Sequence, residues 1–483
     1  MVDKTSVLIA GAGPVGLTLA NELARFGIAV RIVDPAPART DKSKALVLWS
    51  RSLELLDQAG YVEPFLAAGM PAHGAQLSDG KNVVARVTLD GIKSRYAYAL
   101  MIPQSDTERI LEETLEGRGV KVERTVALES FRDHGDGVRA VLKKADGTSE
   151  SVEADWLVGC DGAHSTVRHG LGLSFEGTTQ QSDWYLADGH CTGLEPHDVM
   201  HIYWHRDGIL AFFPITEGRW RVIADLGPAK DAGRHADPTL EEVQALLTHR
   251  SSQPIVMTDA YWLAAFRINE RKVAHYGTGR TFLAGDAAHI HSPAGGQGMN
   301  TGMQDAFNLA WKLALVIQGV CKPSLLDSFS VERSAVGDMV LRNAERLTDA
   351  AIMRNPIAQG LRNAVAAFAM GFPMIQERAA NMLSETDIAY PDSPLSRTAR
   401  HGDGPRAGMR WPDRLPMDSA KPQFLAVGPS GVVAELARQF PTLVRMGPEA
   451  AALKLIRPDG YVGFDGSPTD RAEAETYLRE LAG

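Results

Sequence analysis

The chain has 483 residues, of which 44% are hydrophobic, and it carries a formal net charge of -9. This length allows two or three domains, each with its own core. Because acidic and basic residues are interspersed and no basic run occurs, the composition argues against a nucleic-acid partner. The three cysteines, Cys160, Cys191 and Cys321, form no disulfide or zinc pattern, which indicates a reducing, cytoplasmic environment.

Two apolar stretches are too short for membrane segments. Residues 7–10 follow no basic region and are shorter than the core of a signal peptide, so they predict a first strand. Residues 363–374 lie between Arg362 and Glu377 and are shorter than a membrane span, so they predict a buried or amphipathic helix. We therefore expect no membrane interaction.

The chain opens with the pattern of a βαβ unit. Residues 6–10 are apolar, residues 14–26 have apolar positions at helical spacing, and residues 29–33 are again typical of a strand. Similar short apolar runs at 155–159 and 281–284 each precede an aspartate. The sheet is therefore predicted to be assembled from distant parts of the chain.

Later segments predict further units. Residues 199–226 alternate aromatic and polar side chains, as antiparallel strands with one buried face do. Residues 298–316 predict a long helix that begins just after a glycine cluster. After a turn-rich linker at 392–413, a hairpin signal at Pro458-Asp459-Gly460 lies between predicted helices at 432–440 and 472–481.

The first motif is a glycine-rich turn between the first strand and helix. Gly11 permits a tight turn, Gly13 allows the backbone to approach a pyrophosphate, and Gly16 allows close packing of helix on sheet. Asp34 ends the second strand, where an acid can bind ribose hydroxyls. The unit predicts dinucleotide binding without distinguishing NAD from FAD.

Two further motifs narrow the choice. The string GCDGAHSTVR at 159–168 is an Asp-Gly turn after a strand and alone could be a turn with a surface arginine. The string GDAAHIHSPAGGQGMN at 285–300 is a glycine-lined loop that leads into a helix. Such a loop suits a planar anionic ligand, and Asp286 suits a polyol such as ribitol.

The three motifs, in this order and spacing, resemble the class A FAD-dependent monooxygenases, the aromatic hydroxylases typified by p-hydroxybenzoate and phenol hydroxylases. The resemblance covers the chain as far as residue 345 and implies an α/β fold with a Rossmann-like FAD-binding domain, an inserted antiparallel substrate domain and long C-terminal helices. The C-terminal unit resembles the thioredoxin-like domain of the phenol and polyketide hydroxylase branch, but it contains no cysteine. The implied boundaries are 1–174 and 276–345 for the FAD-binding domain, 73–103 and 175–275 for the substrate domain, 346–400 for a helical linker and 401–483 for the last domain.

The resemblance also implies a role for each matching residue. The expected cofactor contacts run from the ADP phosphates to the isoalloxazine edge: Gly11, Gly13, Gly16, Asp34, Lys44, Gln104, Arg109, Asp161, Asp286, Pro293, Gly298, Met299 and Asn300. Of these, Pro293 and Asn300 are expected beside the reacting ring and are the catalytic candidates. Lys44 stands where the family often has arginine, and Arg51 is a second basic candidate nearby.

The alternating segment supplies the candidate substrate contacts. His201, Tyr203, Phe212 and Arg221 lie in the alternating segment and could bind an aromatic substrate, although such a strand is more often simply core. His289 and His291 have no acid or third histidine at metal-ligand spacing, so we expect them to pack the loop and we expect no metal site.

The resemblance implies hydroxylation of a phenolic substrate with NADPH or NADH and O2, through a flavin C4a-hydroperoxide. Two alternatives remain open: Baeyer–Villiger or epoxidising oxygenation on the same fold, and a non-catalytic flavin-binding or drug-sequestering protein. A homodimer is conceivable, but no motif indicates it.

Overall fold

A mixed sheet with a parallel centre forms the first layer of the computed structural model, which describes residues 3–80, 82–229, 235–251, 253–414 and 420–483. The strand order is β17-β18-β11-β1-β2-β8, and an antiparallel extension of β10 and β9 branches from β11. Its strands are β1 (Asp3–Ala10), β2 (Val30–Asp34), β8 (Val122–Arg124), β9 (Val126–Asp133), β10 (Val138–Lys144), β11 (Ser149–Gly159), β17 (Gly277–Thr278) and β18 (Thr281–Leu283). The prediction that distant segments build one sheet is confirmed.

The second sheet is antiparallel except where β13 pairs with β5. Its order is β19-β16-β12-β15-β14-β13-β5-β6. Its strands are β5 (Gly74–Ser78), β6 (Val83–Thr88), β12 (Glu176–Thr192), β13 (Val199–His205), β14 (Gly208–Thr216), β15 (Arg219–Pro228), β16 (Val256–Lys272) and β19 (His289–Ile290). Because β19 belongs to the loop that follows β18, the second sheet is joined directly to the motif at 285–300.

Alternation along these strands gives the second sheet two different faces. Tyr203, Phe212 and Trp220 pack with Val243 and Leu247 of the helix α6 (Leu240–Arg250), and we call this the α6-side face. The neighbouring positions Met200, Phe213 and Ile215 point the other way and pack with Val47 and Trp49, and we call this the loop-side face. A small sheet of β3 (Val47–Leu48), β4 (Met70–Ala72) and β7 (Ala99–Met101) lies beside that second face.

Helices cover the sheets and connect them. They are α1 (Pro14–Arg25), α2 (Ser50–Gln58), α3 (Glu63–Ala68), α4 (Gln104–Gly117), α5 (Thr166–Gly170), α6 (Leu240–Arg250), α7 (Gly298–Ile317), α8 (Asp327–Ile352), α9 (Pro356–Ala369), α10 (Pro373–Leu383), α11 (Ser430–Gln439) and α12 (Arg471–Leu481). The long helix predicted at 298–316 is α7, and its fully buried stripe packs against α1 and α2. No helix of the described residues is both long and apolar enough to cross a membrane.

The segment at 363–374 differs from its prediction. It is divided between α9, which ends at Ala369, and α10, which begins at Pro373 after its N-cap residue Phe372. The apolar residues of α9 also face outwards: Leu361, Val365 and Phe368 are more than half exposed. Of the two predicted alternatives, a buried or an amphipathic helix, the exposure of α9 therefore contradicts the buried one, because helical spacing alone does not say which face finds a partner.

The C-terminal unit has a thioredoxin-like arrangement of β21 (Phe424–Val427), α11, β22 (Val444–Met446), β23 (Leu453–Ile456), β24 (Val462–Gly466) and α12, with β20 (Arg397–Thr398) added at one edge. The edge strand β22 pairs with β21 in parallel, whereas β21 with β23 and β23 with β24 are antiparallel pairs. Gly460 has a φ of 77° in the predicted hairpin turn. Side chains of this unit continue the main core, so it is packed firmly against the rest of the chain.

The hairpin turn of this unit also enters a buried polar network. Arg457 donates to both oxygens of Glu332, at 2.6 and 2.9 Å, and Lys312 donates to Glu332 at 2.8 Å. Arg51 donates to the carbonyl of Asp459 at 2.6 Å. The Arg457, Lys312 and Glu332 side chains are fully buried, so the network ties α7, α8 and the last unit together.

Candidate active site

The glycine-rich turn after β1 leaves space for a ligand at the N-terminus of α1. A Cβ atom at Gly11, which has a φ of 100°, would lie 2.4 Å from the carbonyl oxygen of Cys160, and one at Gly16 would lie 2.0 Å from that of Gly11. A Cβ at Gly13 would meet nothing within 4 Å. Gly11 and Gly16 are therefore required for packing, whereas Gly13 borders open space where helix amides can bind phosphate.

Asp34 fixes the position of this turn from the end of β2. Its carboxylate accepts the Ala12 amide at 2.7 Å and the Ala36 amide at 2.8 Å. A carboxylate has roughly four acceptor positions, so two remain for other donors. The partly exposed side chain thus fits the expected contact with a ribose.

The Asp-Gly motif links β11 to the loop after β18. The Oδ2 atom of Asp161 accepts the amides of Thr166 and Val167 at 2.7 and 3.2 Å, and its buried Oδ1 atom has no hydrogen-bond partner among the described residues. Arg168 donates to the carbonyl of Ala287 at 3.1 Å. A buried oxygen without a donor is costly, so its position beside this loop fits a bound group that supplies one.

Asp286 lies on the turn after β18 and faces the segment that contains Lys44, and we call the space between them the cleft. The turn is held rigid from behind. Asp305 accepts the amide of Gly285 at 3.0 Å, bonds to His289 at 2.9 Å and accepts from Arg333 at 2.6 Å. Asp286 itself is accessible to water but enclosed by the cleft, and this burial raises its pKa although His289 and Lys44 act to lower it. A fixed acid in a cleft can accept hydrogen bonds from a polyol.

The segment before β3 forms the opposite side of the cleft. The side-chain oxygen of Gln104 accepts a hydrogen bond from the backbone amide of Ala45 at 3.1 Å. The backbone amide of Gln104 donates to the carbonyl of Ala45 at the same distance. Lys44 is exposed and close enough to influence the pKa of Asp286. The structure therefore places Gln104 against the residue that follows Lys44, and Lys44 near Asp286.

The loop at 291–298 leads to the N-terminus of α7. Pro293 is exposed, and Gly298 and Met299 are the first residues of the helix, so their amides have no acceptor within it. The Nδ1 atom of His291 bonds to the carbonyl of Ser292 at 2.8 Å, while its buried Nε2 atom, beside Gly298, has no partner among the described residues. The exposed helix amides and the positive end of the helix dipole favour an anionic, planar ligand edge here.

These features together fit FAD, and the comparisons with known proteins decide the family. The family model described as an FAD binding domain matches residues 4–344. The chain is 35% identical to 6-methylpretetramide 4-monooxygenase of Streptomyces rimosus, over 99% of this chain and 94% of that protein. The chain belongs to the FAD-dependent aromatic monooxygenases.

Two further comparisons agree. This monooxygenase is 32% identical to pentachlorophenol 4-monooxygenase of Sphingobium chlorophenolicum, over 84% of this chain and 75% of that protein. The structure of the anhydrotetracycline hydroxylase OxyS from Streptomyces rimosus matches with a TM-score of 0.82 and 30% identity, covering 99% of both chains. The predicted fold and cofactor class are confirmed.

The structure corrects the role expected for Asn300. Its Oδ1 atom accepts the Trp49 amide at 2.8 Å, and its Nδ2 atom donates to the carbonyls of Val47 and Gly296 at 2.9 and 3.0 Å. Because both amide hydrogens are used and the side chain is fully buried, Asn300 has no side-chain donor left for the cofactor. It is a positioning residue that joins β3 to the loop.

Two basic candidates are also used elsewhere. Arg109 pairs with Asp106 and Glu113 on the surface of α4 at 3.3 and 3.1 Å. Arg51 is buried in the network around the C-terminal hairpin turn. Lys44 is therefore the candidate basic contact that the cleft retains.

Three of the four predicted substrate residues lie on the α6-side face of the second sheet. Tyr203 and Phe212 are core residues of the α6-side face, and His201 packs edge-on against Trp220 of the same face. His201 also bonds to the carbonyl of Pro196 at 2.9 Å. These three side chains are used within the protein, and alternation identifies two faces but not which of them meets the cofactor loop.

Arg221 lies on the loop-side face, where its side chain is occupied by other residues of the protein. It pairs with Asp188 at 2.7 Å and donates to the carbonyls of Ser43 and Lys44 at 2.5 and 3.0 Å. Only 3% of its side chain is exposed. Arg221 therefore holds the Lys44 segment against the second sheet, a role that sequence analysis missed because its partners are so distant along the chain.

Replacing Arg221 with lysine should separate its pairing with Asp188 from its hydrogen bonds to the carbonyls of Ser43 and Lys44. Lysine can still pair with Asp188 but cannot also donate to two carbonyls, so we expect FAD affinity to fall by about tenfold because the Lys44 segment is released. Flavin fluorescence titration measures the change. Arg267→Lys, at the Arg267–Asp183 pair of the same sheet, should leave affinity unchanged, and equal losses in both variants would contradict the assignment.

Proposed function

We propose that this monooxygenase hydroxylates a fused-ring phenolic substrate of the polyketide type, bound between the loop at 293–298 and the loop-side face. The observation that carries this proposal is the apolar cluster at that position. Met200, Phe213 and Ile215 pack towards Val47 and Trp49. Trp49 in turn donates to the carbonyl of Gly295 at 2.8 Å.

The composition of this cluster favours a large planar ligand. Its residues come from the second sheet, the small sheet and the end of α10, where Ala380 is buried and Leu383 partly buried. Apolar and aromatic walls bind ring systems through area and ring contacts rather than through charge. The sulfur of Met200 can adapt to rings of different shape.

The relatives support the same substrate class. Those that act, by name, on 6-methylpretetramide and anhydrotetracycline match nearly the whole chain, including the thioredoxin-like unit. The match to the pentachlorophenol enzyme covers less of both chains. We infer that the full-length architecture accompanies multi-ring substrates.

The chain's own residues supply orientation and electrostatics. When bound and reduced by NADPH or NADH, FAD supplies the activated oxygen. We propose that Asp286 and Lys44 hold the FAD, and that the amides of Gly298 and Met299 stabilise negative charge at the edge of its ring system. Pro293 would lie beside its ring. Burial, together with His289, lowers the pKa of His291 to about 4, so His291 suits a neutral hydrogen-bond acceptor and not a base for a phenol.

We further propose that the FAD-binding part comprises 1–174 and 276–345, the substrate part 73–103 and 175–275, the linker 346–400 and the last domain 401–483. Strands of the first sheet and of the second sheet support this division. A cytoplasmic location is supported by Cys160, Cys191 and Cys321, which are buried free thiols.

Adjacent phenylalanines on β14 provide a matched test of the substrate site. Phe213→Leu should raise KM for fused-ring phenols by about tenfold, because ring contact on the loop-side face is lost, while KM for monocyclic phenols changes little. Phe212→Leu removes a ring from the α6-side face and should lower stability with KM unchanged. Steady-state kinetics on both substrate series measures this, and a KM effect in Phe212→Leu alone would place the substrate elsewhere.

A further inference from the structure

Three side chains with metal-binding atoms meet at the turn between β13 and β14. His205 ends β13, Asp207 lies in the turn, and His249 is in the last turn of α6. The Oδ2 atom of Asp207 lies 2.8 Å from Nε2 of His249 and 3.6 Å from Nδ1 of His205. One ligand atom from each residue falls within 4.8 Å of the others.

The turn that carries this cluster is fixed by a buried arginine. Arg250 donates to the carbonyl of Asp207 at 2.9 Å, to that of Ile209 at 3.0 Å and to that of Asp225 at 2.6 Å. Its side chain is almost completely buried. Because strand, turn and helix are held in one arrangement, the three side chains are brought together without the help of a ligand.

The protonation states suit a cation. The Nδ1 atom of His205 accepts the backbone amide of Asp207 at 3.2 Å, so this nitrogen carries a lone pair and not a proton, and a bound ion would take that lone pair from the amide. Two positive charges near the cluster, Arg250 and Arg206, oppose the binding of a cation. The Nε atom of Arg206 lies 3.6 Å from Oδ2 of Asp207.

We propose that His205, Asp207 and His249 bind one divalent transition-metal ion of the zinc class. Two imidazole nitrogens and a carboxylate oxygen are ligands that zinc prefers, and the ligand atoms of a tetrahedral zinc site are about 3.3 Å apart, between the two distances observed here. The Asp207 and His249 side chains are about half exposed, which leaves the fourth position to water.

A metal at this site would join the end of α6 to the β13–β14 turn. The same turn receives α9, because Gln359 donates to the carbonyl of Arg206 at 3.1 Å. The ion would therefore brace the corner where α6 and α9 meet the second sheet. Sequence spacing could not reveal the site, because His249 lies far along the chain from the other two ligands.

Zinc titration of the untagged, FAD-loaded protein tests the proposal. Calorimetry in metal-free buffer should show one Zn2+ per chain. His249→Asn and Asp207→Asn should each weaken binding by more than about tenfold, because loss of a residue that merely orients a metal ligand already has an effect of about that size. Arg206→Gln should tighten binding, because it removes a competing cation. His197→Asn is the matched control, since His197 is an exposed histidine outside the cluster that pairs with Glu195 at 2.9 Å.

Zinc should also raise the unfolding temperature of the wild type but not of His249→Asn. The flavin absorbance of each variant verifies that it is folded. Absence of saturable binding in the wild type, or equal binding in His249→Asn and the wild type, would overturn the proposal.

Discussion

Replacing Asp286 with alanine should release most of the bound FAD. The acid lies in the cleft opposite Lys44, on a turn held by Asp305, and we propose that it accepts hydrogen bonds from the ribitol chain. A hydrogen bond to a charged group contributes about 1.5–3 kcal/mol, so the dissociation constant should rise by roughly 10- to 100-fold. Flavin fluorescence titration of the refolded or deflavinated protein measures this directly.

The control is an aspartate outside the cleft. Asp136 is exposed in the turn between β9 and β10, and Asp136→Ala should bind FAD as the wild type does. Recovery of fully yellow Asp286→Ala protein with unchanged affinity would show that the ribitol is held elsewhere.

Replacing Arg457 with methionine should cause the largest loss of stability. Glu332 would remain buried with Lys312 as its remaining cation, and Asp459 would lose its partner in the hairpin turn. Breaking a buried pair by removing one partner typically costs about 3–5 kcal/mol. We therefore expect the free energy of unfolding to fall by that amount, with the thioredoxin-like unit detaching first.

Urea denaturation, followed by tryptophan fluorescence, measures the change. Adding Asp459→Asn to Arg457→Met should recover part of the loss, because it removes the carboxylate that Arg457→Met leaves without its cation, while Glu332 keeps Lys312. Arg438→Met, which breaks the exposed Arg438–Glu435 pair on α11, should change stability by less than about 1 kcal/mol. A loss in Arg457→Met no larger than in Arg438→Met would contradict the structural role of the network.

Local sequence signals were sufficient for much of the fold. The glycine turn at Gly11, the helix that begins at Gly298 and the hairpin at Gly460 were all predicted correctly, because each depends on residues adjacent in sequence. The grouping of Lys44, Gln104 and Asp286 in one cleft followed from family resemblance and not from periodicity.

Contacts between distant segments could not be predicted. Asn300 was assigned to the cofactor because nothing in the sequence shows that Val47 and Trp49 occupy its amide. A period of two places Phe212 and Phe213 on opposite faces but does not say which face meets the loop. Asp305, which holds Gly285 and His289, stands in α7 beyond the string at 285–300, so none of the quoted motifs indicated its role.

The most direct test of the central claim is NADPH and NADH oxidation by the FAD-loaded protein under 18O2, with fused-ring and monocyclic phenols added in turn. The account predicts that a fused-ring phenol strongly stimulates oxidation, that little hydrogen peroxide forms, and that the product gains one labelled oxygen on the ring. Oxidation that no phenol stimulates, or a product without labelled ring oxygen, would contradict aromatic hydroxylation by this chain.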